Sequence, residues 1–175
     1  MAFWQLIRFR VIYPLVLFLL LFLDGNLMSS LGGILNHFPF HVLPLLTLIW
    51  LFYAIEFEVT NRIAFWVYVV LIGLLFDIYY TGILGSYTIA FLAACVVMDR
   101  LRPYFDERLM SGLLLCLIGL IIYLLVTYAA GFIINIADVS LGRFLLYELV
   151  PTVVLNIIIA ALGYYPAWSL FQLLS

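Results

Sequence analysis

The chain has 175 residues, of which 69% are apolar and only 9% charged, with a formal net charge of −2. Soluble domains carry roughly 45–50% apolar and about 25% charged residues, so this sequence lacks the polar surface to cover a water-soluble fold. All seven basic residues are arginine, which excludes lysine Schiff-base and lysine general-base chemistry.

A membrane span needs about 20 mostly apolar residues at ~1.5 Å rise each, and on that scale six helices are expected. The first runs from about Leu6 to Met28. Arg8 and Arg10 precede its apolar run, but Asp24 follows directly without an Ala-x-Ala-like site, so it reads as a retained helix rather than a cleaved signal. The second starts near Phe38, after the turn-like SSLGGILNHFP, and ends at Glu56. A third covers Arg62 to about Tyr80, and a short fourth Leu84 to Met98. The fifth spans about Leu109 to Ile136 and the sixth about Phe144 to Phe171. Pro14, Pro44, Pro151 and Pro166 are positioned to kink their helices. Residues 1–175 thus read as one integral membrane domain, an all-α polytopic bundle of six transmembrane helices.

The arginines orient it. With the N-terminus inside, six spans leave Arg8, Arg10, Arg62, Arg100, Arg102 and Arg108 cytoplasmic and only Arg143 outside, the asymmetry that the positive-inside rule requires. Both termini are then cytoplasmic. Trp4 and Trp168, near the two ends, suit an interfacial belt. The stretch DRLRPYFDER, Asp99 to Arg108, is the longest polar segment. Its arginines Arg100, Arg102 and Arg108 read first as anchors for anionic headgroups, and second as a docking site for a cytosolic partner.

Two acids stand inside apolar runs. Asp24 lies 14 residues beyond Arg10 and Asp77 15 beyond Arg62, which places both some ~21–23 Å from the cytoplasmic side. A carboxylate there costs several kcal/mol unless hydrated, protonated or partnered. Candidate partners are Arg143, the Tyr79 and Tyr80 hydroxyls, and free amides at the start of the fourth helix. Gly73 and Asp77 share a helix face; Gly73 lets another backbone approach, and Asp77 can accept donors across the gap. Gly82 and Gly85 permit the positive φ of a tight reversal, while Thr81 and Ser86 can bond exposed backbone groups there. A structural pin is favoured over a proton- or substrate-binding acid.

Other candidates are weaker. Cys95 and Cys116 sit in apolar runs and read as packing residues, and Gly112 with Cys116 forms a small-xxx-small pair. His37 and His41 have a metal-like interval, but Pro39 separates them, and interfacial histidines are the favoured reading. Asn135 and Asn156 can bond neighbouring helices. Neither the YD and GxGD motifs of intramembrane aspartyl proteases nor a hydrolase triad is present, so no catalytic residue, metal site or cofactor is expected.

The run Gly73-Leu74-Leu75-Phe76-Asp77, followed by Gly82, Leu84-Gly85 and Ala90-Phe91, resembles the signature region of the bacterial rod shape-determining MreD family. That family shows G-L-hydrophobic-x-D, a short segment ending in L-G, then a small and aromatic run. The tyrosine-rich DIYYT departs from the aliphatic residues usual there. The resemblance implies a non-catalytic scaffold of the cell-elongation machinery, in the bacterial cytoplasmic membrane, that supports lateral peptidoglycan synthesis. It implies an MreC-like single-span partner and, indirectly, MreB-type filaments, a RodA-type glycosyltransferase and its penicillin-binding protein; no nucleic acid is implied. The family's fold also resembles the S components of ECF vitamin transporters. A second hypothesis is therefore a small-molecule binder of that type, with Asp24, Asp77 and Glu148 lining an outward recess. Against it, the first helix lacks the Ala-xxx-Ala spacing by which S components dock.

Overall fold

The computed structural model describes residues 2–35, 37–82, 84–106, 108–134 and 139–174. Among these, six principal helices form the bundle and no strand occurs. They are α1 (Ala2–Ser30), α2 (Leu46–Glu56), α3 (Phe65–Phe76, continued by the π-helical turn Asp77–Thr81), α4 (Ser86–Leu101), α5 (Leu109–Ile133) and α6 (Leu141–Phe144, a π turn Leu145–Leu149, then Val150–Leu174). Short helical turns lie at Gly32–Leu35, Thr60–Arg62 and Arg102–Tyr104. An all-α membrane bundle is what the composition requires, and three stretches (Arg10–Ser30, Leu109–Ile133 and Leu141–Leu173) are long and apolar enough to cross a bilayer.

The outer faces are apolar as well as the core. Val11, Leu15 and Leu19 on α1, and Val150, Val154, Ile158 and Leu162 on α6, are exposed at four-residue intervals. One stripe of a helix therefore faces outward without any polar cover. In water such faces would drive association; in hydrocarbon they are already in their preferred solvent.

The bundle is organised around α2. It packs against α1, α4, α5 and α6, and Thr47 through Glu56 are all buried. Its boundary departs from expectation, because α2 begins at Leu46 rather than near Phe38. Eleven residues at ~1.5 Å each make only about 16 Å, roughly half the hydrocarbon thickness. Prolines explain the shortfall: Pro39 and Pro44 lack an N–H, and each pushes its preceding residue away from helical geometry. Residues 40–45 therefore run without helical structure beside α6.

Irregular backbone at membrane depth persists only where protein satisfies its polar groups, and α6 does so here. Leu43 N–H donates to Thr152 Oγ1 (3.1 Å) and Leu45 N–H to Asn156 Oδ1 (2.8 Å), while Asn156 Nδ2 donates to Leu43 O (2.7 Å). His41 N–H donates to the carbonyl of Tyr147 (2.9 Å). That carbonyl lies four residues before Pro151, which has no N–H to occupy it. A proline that looks like a simple kink thus supplies an acceptor to a neighbouring segment.

Candidate functional site

Two carboxylates cap two helix starts. Asp77, fully buried, follows directly on α3 and accepts from the first turn of α4. Gly85 N–H reaches Oδ2 at 2.7 Å, Tyr87 N–H reaches Oδ1 at 2.7 Å, and Thr88 donates to Oδ2 from both its hydroxyl (2.6 Å) and its N–H (3.3 Å). These are the amides that a helix cannot satisfy internally, and the aligned peptide dipoles favour negative charge at that end. Of the partners considered for Asp77, it binds the free amides of the fourth helix; Arg143 is exposed.

The surrounding glycines shape that contact. A Cβ on Gly73 would lie 2.5 Å from Thr88 Cα, so only glycine allows α3 and α4 to approach closely enough for Asp77 to reach the same threonine. Gly82 (φ +66°) and Gly85 (φ +110°) carry the reversal in left-handed conformations. The hydroxyl bonding at the cap belongs to Thr88; the side chain of Thr81 lies outside the described residues.

Asp24 does the same for α2. Its side chain is 1% exposed and accepts from Leu46 N–H at Oδ1 (2.8 Å) and Thr47 N–H at Oδ2 (2.9 Å). The two capped ends are tied together, since Tyr80 beside Asp77 donates its hydroxyl to Leu21 O (3.1 Å). Its ring packs against Gly25, where any Cβ would collide with it. Asp24, Asp77 and their helix starts therefore occupy one end of the bundle, each acid consumed in holding a helix N-terminus.

The opposite end holds a third polar cluster, around Arg102. Its Nε sits 3.0 Å from Glu56 O and 3.3 Å from Glu56 Oε2, and its Nη1 donates to Phe105 O at 2.9 Å. Tyr164 donates its hydroxyl to Glu56 Oε1 (3.1 Å). Gly112 makes room, because a Cβ there would meet that carboxylate at 2.8 Å. The three loop arginines thus separate. Arg100 and Arg108 are exposed as headgroup anchors would be, whereas Arg102 is buried and turned inward. Sequence reasoning missed Glu56 altogether, the available signal being a lone acid closing an apolar run opposite a loop rich in arginine.

Just beyond Glu56, α2 ends in a Schellman arrangement, with Val59 N–H bonding Ala54 O (3.0 Å) and Glu58 N–H bonding Ile55 O (3.1 Å). The residue that must then be left-handed is Glu58, with φ 54°. Glycine is the usual occupant, and a side chain there costs about 1 kcal/mol or more.

Two recesses open on this framework. An apolar groove of 360 Å³ lies between α1 and α6 over α2, its surface including Leu20, Trp50, Tyr53, Gly163 and Ala167. On another face of α6, an open cavity of 570 Å³ is lined by Glu56, Glu58, Arg102, Tyr165 and Trp168. Among the described residues no group of three or more His, Cys, Asp or Glu side chains could hold a metal ion; His37 and His41 are exposed. Asn135 lies outside the described residues.

Apolar outer faces, long apolar helices and buried acids serving as helix caps define a helical integral membrane protein. The chain is 26% identical over 152 residues, 87% of its own length and 89% of the relative's, to the cell shape-determining protein MreD of Streptococcus pneumoniae (strain ATCC BAA-255 / R6). No family model and no solved structure matches the chain. That likeness, running over most of both chains, supports the resemblance of the Gly73–Phe91 region to the MreD signature.

Proposed function

We propose that this chain is a non-catalytic scaffold of the cell-elongation machinery, helping to set cell shape by binding an MreC-like single-span protein beside sites of lateral peptidoglycan synthesis. The observation that carries the reading is the near end-to-end likeness to a cell shape-determining MreD. The geometry supports it in a second way. Asp24 and Asp77 accept from backbone amides, so they are engaged in architecture rather than offered to a metabolite.

In this reading the chain crosses the cytoplasmic membrane six times with both termini inside. The end bearing Arg102 faces the cytoplasm, and the end bearing Asp24 and Asp77 faces outward. The groove between α1 and α6 receives the partner's transmembrane helix over Leu20, Trp50 and Leu170. MreB-type filaments, a RodA-type glycosyltransferase and its penicillin-binding protein join through that partner. Gly73, Asp77, Gly82, Gly85 and Asp24 act indirectly, by fixing the helices that bound the groove.

The test is purification of the tagged chain from its native membrane. Co-purification of a single-span protein, lost when bulky residues are placed at half-buried positions of the groove (Leu20→Trp, Leu170→Trp), is the expected result. A vitamin-like molecule bound to the purified chain, with no protein companion, would replace this reading by the S-component one. Reporter fusions at both termini and in the Asp99–Arg108 loop check the orientation.

A further inference from the structure

The cavity at the Arg102 end has the chemistry of a cation receptor. Two carboxylates, Glu56 and Glu58, face one guanidinium, that of Arg102. Arg102 is already engaged by Glu56 and by the Phe105 carbonyl. Glu58 is different, for its side chain is 68% exposed and reaches Arg102 only at 3.9 Å, a separation and exposure at which an ion pair contributes little. It stands at the cavity rim in a backbone conformation that glycine would occupy without penalty. A left-handed glutamate with so weak an internal partner points to a use for its charge.

Facing it, Tyr165 (66% exposed) and Trp168 (49% exposed) project from one face of α6 at a three-residue interval. Aromatic faces attract guanidinium and ammonium groups, tryptophan most strongly. A carboxylate beside half-exposed aromatic rings therefore selects a cation with an apolar stem. Membrane proteins place such side chains immediately inside their spans, where Arg and Lys accumulate.

We propose that this cavity captures a basic side chain, arginine above all, from the cytoplasmic flank of a partner's transmembrane helix, with Glu58 as the counter-charge and Tyr165 and Trp168 as the walls. The inference rests on the scaffold reading and deepens it, adding a site on another face of α6 from the groove that would seat the span itself. Charge complementarity chooses this occupant: the lining sets two carboxylates, Glu56 and Glu58, against the guanidinium of Arg102, and the exposed Asp106 stands on the loop that follows Arg102.

The experiment uses the full chain in phosphatidylcholine nanodiscs and a fluorescent synthetic single-span peptide, an alanine–leucine helix ending in two arginines, beside a matched peptide ending in two glutamines. Energy transfer reads association. At least tenfold tighter association of the arginine peptide is expected, falling below threefold in Glu58→Gln, Glu58→Gly and Trp168→Ala. Glu58→Gly should also raise the thermal midpoint, so its loss of preference would not come from misfolding. Equal association of the two peptides with the unaltered chain overturns the cavity proposal and leaves the scaffold reading standing; association of neither counts against both. Retention of the preference by Glu58→Gly overturns it too. So does its disappearance when phosphatidylethanolamine replaces phosphatidylcholine, which would assign the cavity to a lipid amine.

Discussion

Asp77 and Asp24 perform the same task at different ranges. Asp77 bonds amides 8 to 11 residues ahead of it, across a reversal that its own glycines shape. Asp24 bonds amides 22 and 23 residues ahead, across a segment that also needs Thr152 and Asn156 from the last helix. The first is a self-contained motif and the second is a piece of tertiary structure. Bond number alone would rank Asp77 as the more important acid, since among the described residues it accepts at least four donors and Asp24 at least two. Depth argues the opposite. The partners of Asp77 are only partly buried, beside exposed Tyr79 and Leu84, where water can replace a lost acceptor. Thr47 is fully buried, and no solvent reaches its amide when the carboxylate is removed.

Asp24→Ala should therefore show the largest loss, about 3–5 kcal/mol from the buried Thr47 N–H and the half-buried Leu46 N–H left without an acceptor, measured by reversible unfolding in mixed micelles. Asp77→Ala should cost less, about 2–3 kcal/mol, and Asp77→Asn less again because the amide keeps one acceptor oxygen. If Asp77→Ala proves the more damaging, depth does not govern the comparison. Gly73→Ala follows at about 2 kcal/mol, since the added Cβ must displace the α4 backbone rather than a mobile side chain. Amide exchange at Gly85 and Tyr87 should accelerate in that variant while Leu46 and Thr47 stay protected. The smallest effect, about 1 kcal/mol, belongs to Gly82→Ala: a left-handed position with nothing within 4 Å of the new methyl, so that only backbone strain is added.

The same contrast explains how much of the molecule was legible in the sequence. Hydropathy and span length are local properties, and they placed α1, α4 and α5 to within a few residues at most of their termini. The Gly73–Gly85 cap could be read because donor, acceptor and turn lie within one short run. The α2 boundary could not: a run beginning at Phe38 has the hydropathy of a helix, and the groups that let residues 40–45 stay irregular arrive from more than a hundred residues away. Arg102 eluded the reading for a related reason. Its charge pattern matches that of Arg100 and Arg108, and only the end of α2, brought beside it by folding, turns it inward.

That dependence on the last helix sets an order on biosynthesis. The stretch before α2 is complete as a sequence long before its donors and acceptors exist, since Thr152 and Asn156 follow it by 109 to 113 residues. Until the ribosome has delivered them, Leu43 and Leu45 must keep their peptide groups wet, at the lipid headgroups or inside the insertion channel. The nascent chain thus closes its interior last, and from its newest helix inward.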